Sequence, residues 1–137
     1  PGNGALITAE WVFTYDDLPA ASTKNMELLL PDNSVIVDAY WETIETFAGG
    51  TSYDIDMVDT AGSAIGSGTD KLWDALLLAT INAVGERSQS STHAGTNSGN
   101  ALNIAITEPC QLAVAATGTF TSGKARIVIE YMKAKPV

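Results

Sequence analysis

A chain of 137 residues, 45% of them hydrophobic, can bury a core without disulfide or metal staples. Seven basic residues against 16 acidic ones give a net charge of −9; that balance excludes nucleic acid, whose phosphates need clustered Lys and Arg, and opposes docking on an anionic membrane. Charged residues make up only 17% of the chain, so its surface must be rich in Ser, Thr, Asn and Gly.

The opening Pro1-Gly-Asn-Gly has neither the basic nor the apolar region of a signal peptide and reads as a flexible arm over about residues 1–5. Leu6–Tyr15 is dense in β-branched and aromatic residues and predicts a strand, with Trp11, Phe13 and Tyr15 on one face. Asp16-Asp17-Leu18-Pro19 ends it. Met26–Leu30 predicts a second strand, stopped by the turn Pro31-Asp-Asn-Ser34. Ser34–Phe47 is the longest candidate, with Val35, Val37, Ala39 and Trp41 on one face and Asp38, Tyr40 and Glu42 on the other. A strand of that length predicts a bend or bulge near its middle. After the turn at Ala48–Thr51, Tyr53–Asp59 alternates cleanly, Tyr53, Ile55 and Met57 inward, Asp54 and Asp56 outward.

Residues 60–100 read as a long, largely polar loop region. Within it, Asp70–Val84 fits either a strand or a short helix capped by Asp70, and the helix or turn near 70–77 is favoured. Residues 85–100 are almost wholly polar and predict an exposed loop or edge hairpin. Ala101–Glu108, Gln111–Thr117 and Lys124–Met132 predict three closing strands; one as strong as the last belongs in the middle or at the closure of a sheet. About seven to eight strands with at most one short helix point to an all-β fold, an antiparallel sandwich of jelly-roll type in a single domain.

No constellation carries catalysis. His93, the only histidine, lies in the polar loop without a Gly-x-Ser-x-Gly elbow, and Cys110 sits in an apolar run as a buried thiol. One His and one Cys cannot build a zinc site. Asp54, Asp56 and Asp59, with Asp70 or Asp74, suggest calcium, but carboxylates at period two stand apart along a strand. Glu42 with Glu45, or Asp38 with Glu42, are chance pairs in an acidic chain. Gly62–Gly68 lacks the lysine of a phosphate loop. The expectation is no enzyme and no cofactor. Trp11 and Trp41 read as core. Trp73 with Leu76, Leu77 and Leu78 reads as a cap or a contact surface, and an exposed Trp could offer a sugar platform.

Three stretches resemble small virion structural proteins of tailed bacteriophages. They are Phe13-Thr-Tyr-Asp-Asp-Leu-Pro-Ala-Ala; Leu30-Pro-Asp-Asn-Ser-Val-Ile-Val-Asp-Ala-Tyr with Phe47-Ala-Gly-Gly-Thr-Ser-Tyr-Asp-Ile; and Ala116-Thr-Gly-Thr-Phe-Thr-Ser-Gly-Lys-Ala-Arg-Ile-Val-Ile-Glu-Tyr. The resemblance implies a capsid decoration (cement) protein, or the base of a head fibre. It would be a β-sandwich that trimerises on the exterior of the shell of major capsid protein and supplies no catalytic residues. The contact residues expected on this reading are Trp73, Leu76, Leu77 and Leu78, with Leu6 and Ile7 of the arm. A carbohydrate-binding, lectin-like adhesion module and a tail or fibre component are the alternatives.

Overall fold

A computed structural model describes residues 6–17, 23–30, 33–59, 61, 71–106 and 108–133. The 1–5 arm, most of 60–69 and the Asp70 cap lie outside the described residues. The strands are β1 (Leu6–Thr14), β2 (Thr23–Leu30), β3 (Ser34–Ala48), β4 (Ser52–Asp59), β5 (Lys71–Leu77), β6 (Arg87–Gln89), β7 (Ala105–Ile106), β8 (Cys110–Thr117) and β9 (Ser122–Lys133). A 3₁₀ turn, Tyr15–Asp17, follows β1, and α1 (Leu78–Ile81) follows β5.

Two antiparallel sheets face each other, one in the order β1-β9-β3-β6 with β7 also on β3, the other β2-β8-β4-β5. The pairs are nested: β4 with β5, β3 with β6, β2 with β8, β1 with β9. A long hairpin rolled up on itself gives this order, which is the jelly-roll arrangement expected from the sequence. The closing strand β9 lies between β1 and β3, as its apolar character required.

The long strand β3 breaks register at Ile36/Asp38 and again between Thr43 and Ala48. The first break reverses the alternation. Ile36, Ala39, Trp41 and Phe47 are therefore the buried residues, whereas Val37 is 38% exposed and Val35 half-buried. The expected Val35–Trp41 face is corrected accordingly: the strand's length predicts such a bulge, and here it turns Val35 and Val37 away from the core.

The second correction concerns the segment expected as a helix or turn near 70–77: its described part, Lys71–Leu77, is a strand. Two register shifts against β4 fall within its seven residues, and Ala75 adopts a left-handed φ of 58°. These extra residues bring Leu72, Trp73 and Leu76 inward together. Their spacing mimics one face of a helix while the backbone stays extended. The Ala101–Glu108 strand shrinks to the two residues of β7, preceded by a turn at 101–103.

The core is aromatic. Phe13, Trp41, Phe47, Tyr53 and Phe120 pack with centroids 4.1–6.3 Å apart, Tyr53 stacked on Phe120 and edge-on to Phe13 and Phe47. Space for the rings comes from glycine: a Cβ on Gly123 would overlap the Phe47 ring, and one on Gly50 the Phe120 ring. The Trp41 Nε1–H donates to Thr43 Oγ1 (2.9 Å), whose hydroxyl lies 3.1 Å from the Ile81 carbonyl. A buried indole N–H is thereby satisfied.

Candidate functional site

The outward face of the β1-β9-β3-β6 sheet carries the surface features with most chemical character, and strand register arranges them in rows. At one end Leu6, Met132, Val35 and Ala105 lie side by side across four strands. Leu6 is 55% exposed and Val37 more than a third. This row leaves apolar area in water at one end of the sheet. Ile7 is also exposed, but alternation along β1 turns it to the opposite face, with Trp11 and Phe13.

Farther along, Val12, Arg126, Glu42 and Arg87 occupy a second row. Arg126 bridges Glu10 (Nε–Oε1, 3.0 Å) and Glu42 (Nη1–Oε1, 2.9 Å). Arg87 approaches the other oxygen of Glu42 only to 3.9 Å and lays its guanidinium 5.1 Å above the Tyr40 ring. Both arginines of the chain thus meet one carboxylate. Exposed pairs of this kind contribute little stability singly. Their effect is to order the charges as Glu10–Arg126–Glu42–Arg87, with a cation at the β6 end.

Beyond that cation lies an open depression of about 590 Å³, walled by Tyr40, Arg87, Gln89, Thr92 and His93. Its far wall is the polar segment 90–100, which the structure ties down. Ser91 donates from N (3.2 Å) and Oγ (2.7 Å) to Asp38 on β3. Asn97 N–H donates to Asp74 Oδ2 (3.1 Å) and Asp74 N–H to Ser98 Oγ (2.8 Å) on the β5 side. His93 Nε2 lies 3.2 Å from the Ala75 carbonyl, which assigns the proton to Nε2. Ser90 is fully buried, its hydroxyl donating to the Leu72 carbonyl. The segment is a strap between the two sheets rather than a free loop.

The residues considered for chemistry have structural partners. Glu42 is held by arginine, Asp38 by Ser91, and Asp54 accepts from Ala75 N–H (2.7 Å). Asp59 accepts from Ala61 N–H (2.9 Å). Among the described residues no group of three or more His, Cys, Asp or Glu is placed to hold a metal. Cys110 is buried, and loss of solvation raises its thiol to about 11.

Of the six expected contact residues, Trp73 and Leu76 are corrected. Both are wholly buried, Trp73 with its Nε1–H on Ser88 Oγ at 3.1 Å, because the bulged β5 turns them inward. Leu78 is partly buried against the core, and Leu77, Leu6 and Ile7 are exposed. Trp41 is buried too and Trp11 half-buried against the core, so none of the three tryptophans stands out as a sugar platform. Sequence reasoning missed the arginine pair and its depression. The available signal was that Asp38, Tyr40 and Glu42 alternate outward on β3 in a chain with only two arginines.

No family model and no curated protein matches the chain. Solved structures do. A chain in the capsid of Ralstonia phage GP4 aligns with a TM-score of 0.63 at 18% identity, over 98% of this chain and 88% of that one. One in the capsid asymmetric unit of cyanophage Pam1 gives 0.60 at 14%, over 96% and 86%. One in the acid-stable capsid of Helicobacter pylori bacteriophage KHP30 gives 0.58 at 10%, over 98% and 93%. At such identities the likeness is one of fold.

Proposed function

We propose that the protein is a non-enzymatic structural component of a phage virion that binds the exterior of the capsid shell as a decoration or cement protein. The observation that carries this reading is the whole-chain likeness to chains of similar size in three phage capsid structures, with 86–93% of those chains covered. The described chemistry agrees, since Asp38, Glu42, Asp54, Asp59, Asp74 and His93 are engaged in holding loops and strands.

Cementing needs repeated modest contacts rather than one tight one. A trimer offers three copies of each contact, and a shell offers many equivalent joints, so avidity multiplies weak individual binding. The apolar row beginning at Leu6 is the candidate shell contact, with Ile7 exposed on the other face of the same strand. Leu77 and Leu78, at the opposite sheet's edge, are candidates for contact between copies.

The test is to add purified protein to empty shells of the phage that encodes it, prepared without it. Saturable co-sedimentation and a rise in shell melting temperature are expected. A protein that neither sediments with shells nor departs from a 14.3 kDa monomer in light scattering would overturn the reading.

A further inference from the structure

We propose that the depression beside Arg87 is a receptor for a carboxylate side chain presented by a protein partner, which on the virion reading is a shell subunit.

The cation at its rim is unusual for this chain. The protein carries −9 overall, and Arg126, its other arginine, is saturated by two carboxylates at 2.9–3.0 Å. Arg87 is not: its nearest carboxylate oxygen lies at 3.9 Å, beyond hydrogen-bond distance, and its side chain is 59% exposed. Among the described residues its guanidinium N–H groups have no hydrogen-bond acceptor. The Tyr40 ring, 5.1 Å from the guanidinium carbon and within cation–π range, favours this placement of the cation at the rim. A planar fork of donors fits a carboxylate with two parallel bonds. Gln89 pairs directly with Tyr40 across the strands and adds a neutral amide donor on the same wall, while the Thr92 hydroxyl donates to the Gln89 carbonyl (3.5 Å).

Ligand charge is set by the same inventory. One arginine with no lysine beside it matches a single negative charge. A multiply charged phosphate group would gain from one cation while being repelled by the acidic surface around it. Glu42 already shares its charge between two arginines, so the approaching carboxylate meets a cation only loosely neutralised. At about 590 Å³ the depression admits a side chain and the turn that bears it. Strap tethers to Asp38 and Asp74 keep it open without a ligand.

The experiment titrates isotope-labelled protein with a capped Gly-Glu-Gly-Glu-Gly peptide and follows amide shifts by NMR. Saturable shifts at Gln89, Thr92 and His93 are expected, weaker with acetate and absent with the glutamine version of the peptide. Arg87→Gln should weaken binding about tenfold or more, and Arg87→Lys less, from loss of a charge-assisted bidentate contact. Shifts from the glutamine peptide, shifts surviving Arg87→Gln, or tighter binding of inorganic phosphate would each overturn the proposal. Should Arg87→Gln lose its native dispersion, Gln89→Glu serves instead: a resident carboxylate should block the peptide, and undiminished binding would count against the site. The titration needs no shells, so its failure leaves the virion reading standing. Peptide binding without any wild-type shell binding would remove the shell subunit as partner.

Discussion

Two buried hydroxyls in this core do opposite things. Thr43 satisfies the Trp41 indole and approaches the Ile81 carbonyl, so Thr43→Val strands two buried polar groups. We expect a loss of about 1–3 kcal/mol in urea denaturation. The Tyr53 hydroxyl is buried with no hydrogen-bond partner among the described residues. Tyr53→Phe should therefore leave stability at pH 7 unchanged or slightly higher, within about 1 kcal/mol. Burial also pushes the Tyr53 hydroxyl well above its ordinary value and the Cys110 thiol from 9.0 to about 11. Both groups are held neutral in the fold but ionise more readily in the unfolded chain. The contribution of Cys110 is present below pH 9 and is lost as pH rises from 9.0 to about 11, and that of Tyr53 is present below pH 10.0 and is lost progressively above it. Denaturation at pH 7 and 10.5 should show the wild type losing more stability than Tyr53→Phe; equal losses would contradict this account.

At the scale of elements, β5 shows what a one-dimensional pattern can conceal. Leu72, Trp73 and Leu76 have the spacing of a helix face, and propensity does not oppose one. The bulges that decide the matter depend on Ala75, whose left-handed backbone is anchored by Asp54 on the neighbouring strand, 21 residues away. A contact made only in the fold cannot be read from local sequence. The left-handed conformation costs a non-glycine residue about 1 kcal/mol, so Ala75→Gly should raise stability by roughly that amount in urea denaturation. A decrease would mean the Ala75 methyl packs usefully. The same reasoning covers β3: its length announced a bulge, but only pairing with β9 fixed it at Ile36/Asp38 and turned Val37 outward. Strands β4, β8 and β9, whose alternation or apolar run is regular, were legible almost to their ends. The arginine pair was not, because Arg87 and Arg126 lie far apart in sequence and meet only through Glu42.

For the whole molecule, the division between core and surface separates folding from assembly. Leu6 is mostly exposed, so Leu6→Asp should leave the melting temperature of the isolated protein within a degree or two while reducing co-sedimentation with shells. Trp73→Ala should instead destabilise the protein by about 3–5 kcal/mol, since its indole lies wholly inside the sandwich. If Leu6→Asp bound shells normally, the contact would lie elsewhere on the surface.

The rolled-up hairpin also governs when this protein can exist at all. Glu10 and Arg126, bonded across β1 and β9, are 116 residues apart in sequence. Strand β1 is therefore synthesised well ahead of the neighbour it pairs with. Such non-local closure is slow, on the order of milliseconds to seconds. Until then β1 and β3 both expose the edges that β9 will fill, which are sites for self-association. A chain stopped before Ser122 is accordingly expected in the insoluble fraction on expression, even though most of its core residues have been synthesised. Soluble, folded material from that truncation would show that the sandwich closes without its central strand.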